Sequence, residues 1–101
     1  MDKNDAIKLS KRYIEKVKKN QIEVLEAWIF GSYAKGNYND DSDIDLALVL
    51  PEKILSFDTD VRLMTLRHGD ETIIETHTYS QHDFSTITPI IEQIKQFGFQ
   101  I

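Results

Sequence analysis

The stretch 28–50 constrains the fold and chemistry of this chain more than any other part of the sequence. An apolar run ends in Gly31-Ser32, ten residues follow, and an Asp-x-Asp pair, Asp43 and Asp45, opens a second apolar run. Because alternate residues of a strand share a face, the two carboxylates point to the same side, with Cα atoms roughly 6–7 Å apart. The stretch therefore predicts two strands and a turn that bring a hydroxyl and two carboxylates to one end of a sheet.

Carboxylates this close together indicate a metal site. Like charges 4 Å apart repel by about 1 kcal/mol even in bulk water, and Asp40 and Asp41 add negative charge just before the pair. A hard divalent cation with oxygen ligands, Mg²⁺ above all, relieves that repulsion. Gly31 permits a close backbone approach, and backbone N–H groups at such a turn form an anion site. The sequence therefore places backbone N–H groups that can bind phosphate beside carboxylates that can bind one or two metal ions. Phosphoryl or nucleotidyl transfer requires both.

Length, composition and charge narrow the class of protein. The 101 residues, 41% of them apolar, predict a single domain over 1–101 with one modest core. No apolar run reaches the roughly 20 residues of a membrane helix. The first residues are charged and cysteine is absent, so we expect a cytoplasmic protein without disulfides or thiolate metal sites. The formal net charge of -5 argues against direct nucleic-acid binding as the main role, but it leaves nucleotides open.

Hydrophobic periodicity and turn residues predict an α+β chain. Helices are expected over 5–19, 32–36, 56–68 and 88–97, and strands over 22–30, 43–50 and 71–79, with a short last strand near 99–101. The last helix has the clearest signals, with Thr88 as N-cap, Pro89 at its first position and Gly98 as its stop. The first two strands can pair antiparallel.

The faces of the other helices are less sharply defined by the sequence. For the helix over 56–68 we expect Phe57, Val61 and Met64 to face inward, with Leu63 or Leu66 as further candidates. The lysine-rich face of the first helix is interpreted as solvated. A basic face toward RNA or an acidic partner is the alternative.

The paired Gly31-Ser32 and Asp43-x-Asp45 motifs, set between two apolar runs, resemble the signature of the DNA polymerase beta nucleotidyltransferase superfamily. The chain is similar in size to the minimal nucleotidyltransferase (MNT) branch of that superfamily. The resemblance implies a small mixed β-sheet with helices packed on one face. It also implies metal-dependent transfer of NMP, AMP in the first instance, from ATP or another NTP to an acceptor hydroxyl.

The same resemblance implies three carboxylates that hold two Mg²⁺ ions. Asp43 and Asp45 match the first two, and the third comes from a later strand. Glu75 is the candidate because an unpaired charge inside the third predicted strand is costly, and Glu71 is the alternative. A glutamate here departs from the commoner aspartate. His77 is interpreted as a hydrogen-bonded structural histidine.

The resemblance also assigns the residues that meet the triphosphate. Gly31 and Ser32 match the family positions at the nucleotide's terminal phosphates, although Ser32 can also be a helix N-cap. Lys35 lies one turn further on and can reach a phosphate, or can be an exposed helix lysine. Ser42 can bond to a phosphate, but a bond within the turn before Asp43 is favoured.

Minimal nucleotidyltransferases are frequently paired with small all-helical HEPN proteins as antitoxin and toxin, and AMP is transferred to a tyrosine of the toxin. The resemblance therefore implies a HEPN-type partner encoded nearby. Three functions stay open: an enzyme, an interaction protein that neutralises its partner by binding alone, and an inactive nucleotide sensor. The base of the nucleotide, the acceptor and the oligomeric state, a homo-oligomer included, also stay open.

Overall fold

The computed structural model describes residues 1–101 as a mixed α+β fold around one four-stranded sheet. The helices are α1 (Lys3–Lys19), α2 (Ser32–Lys35), α3 (Phe57–Thr65), α4 (Gln81–Phe84) and α5 (Pro89–Phe97). The strands are β1 (Glu26–Phe30), β2 (Ile44–Val49), β3 (Ile74–Tyr79) and β4 (Phe99–Gln100), and 3-10 helices span Glu52–Ile54 and Gly69–Ile73. The α+β class expected from the sequence is confirmed.

The strand order in the sheet is β3-β2-β1-β4. β1 pairs antiparallel with β2 and β4, as the sequence predicted for the first pair, whereas β2 and β3 run parallel. A parallel pair needs a crossover, and the segment containing α3 supplies it. In this register Asp45 lies opposite Phe30 on one side and Glu75 on the other.

The two faces of the sheet pack differently because alternate strand residues point to opposite sides. The larger core cluster lies on the face covered by α1 and α3, and its strand members include Ile29, Leu46 and Ile74. A smaller cluster on the opposite face joins Phe30, Ala47, Val49, Phe84, Ile91 and Ile94, so α4 and α5 cover part of that face. Asp45 belongs by alternation to this second, partly covered face.

The sequence signals of α5 are confirmed. The Thr88 side chain accepts a hydrogen bond from the Ile91 N–H, Pro89 begins the helix and Gly98 ends it. A Cβ on Gly98 would lie 2.8 Å from the Ile29 carbonyl oxygen, so only glycine allows the chain to turn so tightly against β1. At the other end of the chain, α1 starts earlier than expected because Asp2, rather than a later residue, is its N-cap.

The expected inward face of α3 is wrong for Phe57, Val61 and Met64, and it is confirmed for the further candidate Leu63. Phe57 is 80% exposed and Met64 59% exposed, whereas Leu63 is fully buried and Thr59 is buried beside it. Phe57, Val61 and Met64 fit a helical repeat, and so do Thr59 and Leu63. The helix packs beside β3, and only the face with Thr59 and Leu63 points toward the sheet. Periodicity alone could not choose between the two stripes, because the choice depends on how the helix is placed on the sheet.

The third strand is also shorter than predicted. Residues 69–73 form a 3-10 helix and the strand begins only at Ile74. The β-forming residues Thr72 and Ile73 therefore lie in the connection. α4 and the 3-10 helix at Glu52–Ile54 were not expected from the sequence. No helix has the length and apolar character needed to span a membrane.

Candidate functional site

Gly31 bends the chain at the end of β1 so that its backbone lies directly against Asp45. Its φ of 74° is in the region that only glycine adopts without strain. A Cβ at this position would lie 3.1 Å from the Asp45 Cγ and closer still to the Asp45 Oδ2. Conformation and space therefore both require glycine, and the turn predicted from the sequence does meet the carboxylate.

Three ligand-bearing side chains come together beside this turn. Asp45 on β2 lies opposite Glu75 on β3, and His77 follows two residues later on the same face of β3. Each of the three contributes one ligand atom, and these atoms all lie within 4.8 Å of one another. The His77 Nε2 is 3.3 Å from the Asp45 Oδ1. The group is open to solvent, since the side chains of Asp45 and His77 are 27% and 31% exposed.

The imidazole of His77 is held in place by an aromatic neighbour. The Phe30 ring meets it edge-on, with ring centroids 5.0 Å apart and an interplanar angle of 64°. The sequence predicts a hydrogen-bonded structural histidine at position 77 and does not connect it with the carboxylates. The signal was available, because residues two apart on a strand share a face, and Glu75 was already a candidate.

Two further predicted carboxylates lie outside this group. Asp43 precedes β2 by one residue, is exposed, and stands outside the three-residue group. Glu71 is fully buried on the α1 side of the sheet, where it pairs with Lys16 and with the Arg12 Nε at 3.4 Å. Of the two glutamates considered for the third carboxylate, the structure brings Glu75 beside Asp45 and turns Glu71 away.

The ionic partners of Glu71 determine its titration. Burial by itself raises the pKa of this carboxyl group. Hydrogen bonds from Lys16 and from the His68 backbone N–H, together with the charge of Lys16 and the contact with Arg12, outweigh burial and hold the pKa below its usual value. Glu71 is thus an ionised structural residue that connects α1 to the segment before β3.

The candidate phosphate-binding residues occupy the turn and the short helix after it. Ser32 is the first residue of α2 and is half-buried, while Gly31 holds the N-cap position that Ser32 was considered for. Lys35 ends α2, with its Nζ 5.5 Å from the centroid of the Phe97 ring. The Ser42 Oγ accepts a hydrogen bond from the Asn39 N–H at 2.9 Å, which is the bond within the turn that the sequence favoured.

Aromatic stacking anchors the connection between α2 and β2. Tyr33 is buried, and its ring stacks on Tyr38 with centroids 4.4 Å apart and an interplanar angle of 14°. Burial raises the pKa of the Tyr33 hydroxyl, so this side chain remains neutral at physiological pH. The stacking of Tyr33 on Tyr38 therefore holds the start of the loop that leads to Asp43 in place.

The donor set of the three-residue group fits a divalent cation. Two carboxylates and one imidazole offer oxygen and nitrogen ligands, and bringing them together without a counter-charge is unfavourable. Two ligand atoms of one ion lie at most about 4.2 Å apart when each bond is about 2.1 Å. Small side-chain rotations would bring the observed separations, up to 4.8 Å, into that range.

Comparison with known families identifies the fold. The family model described as polymerase beta nucleotidyltransferase matches residues 12–96. The chain belongs to this nucleotidyltransferase family. The match includes the Gly31 turn, the Asp-x-Asp pair and β3, so the family assignment covers the whole corner described above. No curated protein sequence matches the chain at a significant level.

The chain is similar in fold to the solved structures of a candidate nucleotidyltransferase and of a toxin–antitoxin assembly. A candidate nucleotidyltransferase from Sulfolobus solfataricus aligns at a TM-score of 0.65 and 22% identity, over 97% of this chain and 80% of that one. The toxin–antitoxin MntA-HpeT, in a form with two aspartates replaced by glutamate, aligns at a TM-score of 0.58 and 21% identity. That alignment covers 99% of this chain and 72% of the other. At these identities the likeness shows a shared fold.

Proposed function

We propose that this nucleotidyltransferase-family chain transfers a nucleoside monophosphate, AMP in the first instance, from an NTP to a hydroxyl of a partner protein. The observation that carries the proposal is that Asp45 lies directly against the Gly31 turn and meets Glu75 of the neighbouring strand. Carboxylates and a glycine turn from three separate segments converge on one open corner. Family membership indicates the same chemistry.

Asp43, Asp45 and Glu75 are the proposed ligands of two divalent cations. Mg²⁺ is the expected ion because the ligand atoms are carboxylate oxygens. When bound, such ions neutralise triphosphate charge and stabilise the entering and leaving oxygens of an in-line displacement. Asp45 is central to this arrangement, since it follows the exposed Asp43 by two residues and lies opposite Glu75 in the sheet register.

The turn after β1 is the proposed seat of the β- and γ-phosphates. The first N–H groups of a helix have no partner within it, so the main chain at Gly31 and Ser32 can donate to phosphate oxygens. The Ser32 hydroxyl is a further donor. Lys35 is exposed one turn later and can approach a phosphate, whereas the Ser42 hydroxyl already takes part in its own turn.

The proposed transfer exchanges a phosphoanhydride bond of the NTP for a phosphoester bond to the acceptor. The acceptor hydroxyl oxygen forms a bond to the α-phosphorus, while the bond from that phosphorus to the bridging oxygen breaks and pyrophosphate leaves. The hydroxyl proton passes to a carboxylate oxygen of Asp45 or Glu75. Both side chains are accessible to solvent on the partly covered face of the sheet, where an acceptor held by another protein can reach them.

A protein partner is proposed as the acceptor. One structural relative is a toxin–antitoxin assembly, which supports a toxin as the partner of this chain. We expect a small helical HEPN-type protein encoded nearby, with a tyrosine hydroxyl as the acceptor. A partner that brings its own acceptor fits a site on an exposed corner of a chain this small.

Labelled ATP, Mg²⁺ and the candidate partner test the proposal directly. We expect label on the partner, reduced on the order of 100-fold or more by Asp45→Asn, because that change removes the central carboxylate at nearly constant shape. Asp41→Asn is the matched control, since Asp41 is an exposed aspartate outside the three-residue group. Equal labelling by the two variants would refute the proposed role of Asp45.

A second function, neutralisation by binding alone, is favoured by the same toxin–antitoxin relative. It predicts that the partner's toxic activity stays suppressed by the Asp45→Asn chain and that no label appears on the partner with either chain. Growth rescue measured beside labelling separates the two functions. Rescue that disappears with Asp45→Asn supports the enzyme.

A further inference from the structure

The most distinctive feature of the corner is an imidazole where the proposed carboxylate chemistry does not need one. The His77 Nε2 is 3.3 Å from the Asp45 Oδ1, on the same face of β3 as Glu75. The ring is not part of either core cluster and is about one-third exposed. A histidine whose only role was to pack in the core would instead be inaccessible to solvent.

The position of the ring is fixed from behind. Phe30 is 5% exposed and presents its ring edge-on to His77. Phe30 also lies opposite Asp45 in the sheet register, so one buried side chain supports both residues. This arrangement directs a ring nitrogen toward the two carboxylates and limits the conformational entropy that ligand binding would cost.

Ligand chemistry determines what such a group prefers. Mg²⁺ favours oxygen ligands and loses its bound water reluctantly. Imidazole favours first-row transition ions, whose affinities for mixed nitrogen and oxygen sites rise along the series from Mn²⁺ to Cu²⁺. A site with one imidazole and two carboxylates therefore discriminates among divalent cations in a way that an all-carboxylate site does not.

We infer that His77 is a metal ligand, and that Asp45, Glu75 and His77 together hold a first-row transition divalent cation in preference to Mg²⁺. The inference rests on the proposed function for the view that this corner holds two cations, and it assigns a transition ion instead of Mg²⁺ to one of the two positions. At the other proposed position Asp43 would supply an oxygen ligand, which suits Mg²⁺.

Mn²⁺ binding without nucleotide or partner provides the test. Titration followed by electron paramagnetic resonance gives the affinity, and electron spin-echo modulation detects the nitrogen of a coordinated imidazole. We expect nitrogen coupling in the unmodified protein and a loss of Mn²⁺ affinity on the order of tenfold or more in His77→Asn. Mg²⁺ affinity, measured by competition, should change much less.

His82→Asn is the matched control because His82 is exposed on α4 and lies outside the group. It should keep both the affinity and the nitrogen coupling. Mn²⁺ that binds without nitrogen coupling, or with equal affinity in His77→Asn, would overturn the inference, as would an absence of Mn²⁺ binding.

Parallel labelling assays keep this inference separate from the proposed function. If AMP transfer proceeds with Mg²⁺ while Mn²⁺ shows no nitrogen coupling, the role of His77 is wrong and the enzyme stands. If Mn²⁺ binding depends on His77 but no nucleotide is transferred under any metal, the ligand assignment is upheld and the proposed function fails.

Discussion

Two glycines near the corner share a positive φ but differ in ψ, which is -148° at Gly31 and 7° at Gly36, and in their surroundings. Gly31 and Gly36 have φ values of 74° and 83°, so a side chain at either position would be strained. Around Gly36 there is open space within 4 Å, whereas a Cβ on Gly31 would collide with the carboxylate of Asp45. A side chain at Gly36 therefore meets backbone strain alone, whereas one at Gly31 meets strain in a region used almost only by glycine and also the Asp45 carboxylate.

Gly36→Ala should lower the free energy of unfolding by about 1–2 kcal/mol, the usual cost of a left-handed residue. Gly31→Ala should cost more than that and should also displace Asp45, so that Mn²⁺ affinity falls in this variant only. Urea denaturation and metal titration of the two proteins provide the comparison. Equal unfolding and binding losses would mean that the glycine at 31 is needed only for its conformation.

Among the elements, α3 shows how a helix with two apolar stripes is placed. Leu63 is fully buried in the main core, while its neighbour Met64 and the first residue Phe57 face solvent. Ser56 caps the helix by accepting a hydrogen bond from the Thr59 N–H at 3.1 Å. The cap fixes where the helix begins, but the strand beside it decides which stripe is buried.

Leu63→Ala and Met64→Ala test this placement on adjacent residues. Leu63→Ala should lower the free energy of unfolding by about 2–5 kcal/mol, because it leaves a cavity in the core. Met64→Ala should change it by less than about 0.5 kcal/mol, as is usual for surface positions. Thermal or urea unfolding gives both values, and a reversed order would mean that α3 is rotated relative to the structure described here.

Elements with local signals were predicted well from the sequence, and those that depend on distant partners were not. Thr88, Pro89 and Gly98 specify α5 through contacts within a few residues, and the structure agrees at both ends. The predicted start of β3 is too early. The β-forming residues Thr72 and Ile73 favour a strand locally, but their sequence does not reveal the tertiary contacts that place them in a 3-10 helix. Propensity is a weak guide where tertiary contacts compete with it.

At the scale of the whole molecule, Glu71 connects segments that are far apart in the chain. Its carboxylate accepts hydrogen bonds from the side chains of Lys16 and Arg12 in α1, which are 55 and 59 residues away in sequence. It also accepts one from the backbone N–H of His68 in its own turn. Because the carboxyl group is buried, it stabilises the fold only while it is ionised and paired with these basic side chains. This network fixes the entrance to β3, which carries the residues of the candidate site.

The pH dependence of unfolding should report on this network. Because the pKa of Glu71 is lower in the folded protein than its usual 4.5, its stabilising contribution is complete above that value and is lost as pH falls through the folded pKa. Glu71→Gln should therefore be less stable by about 2 kcal/mol at pH 7. The two stability curves should converge toward low pH in urea titrations.

Glu23→Gln is the matched control for that experiment, since Glu23 is exposed in the loop before β1. It should leave the curve nearly unchanged at every pH. A constant difference between Glu71→Gln and the unmodified protein, from neutral to acid pH, would show that the charge of Glu71 does not contribute to folding.

Sequence alone determined the Gly31-Ser32 turn, the Asp43-x-Asp45 pair and the antiparallel strands that carry them, because these features depend on backbone geometry within short segments. Only the tertiary structure decided that Glu75 rather than Glu71 reaches Asp45, and that His77 joins them. Those residues lie about 30 positions from Asp45, and the parallel register between β2 and β3 alone sets which side chains are neighbours. Register is a property of two strands together, so no reading of either strand by itself could supply it.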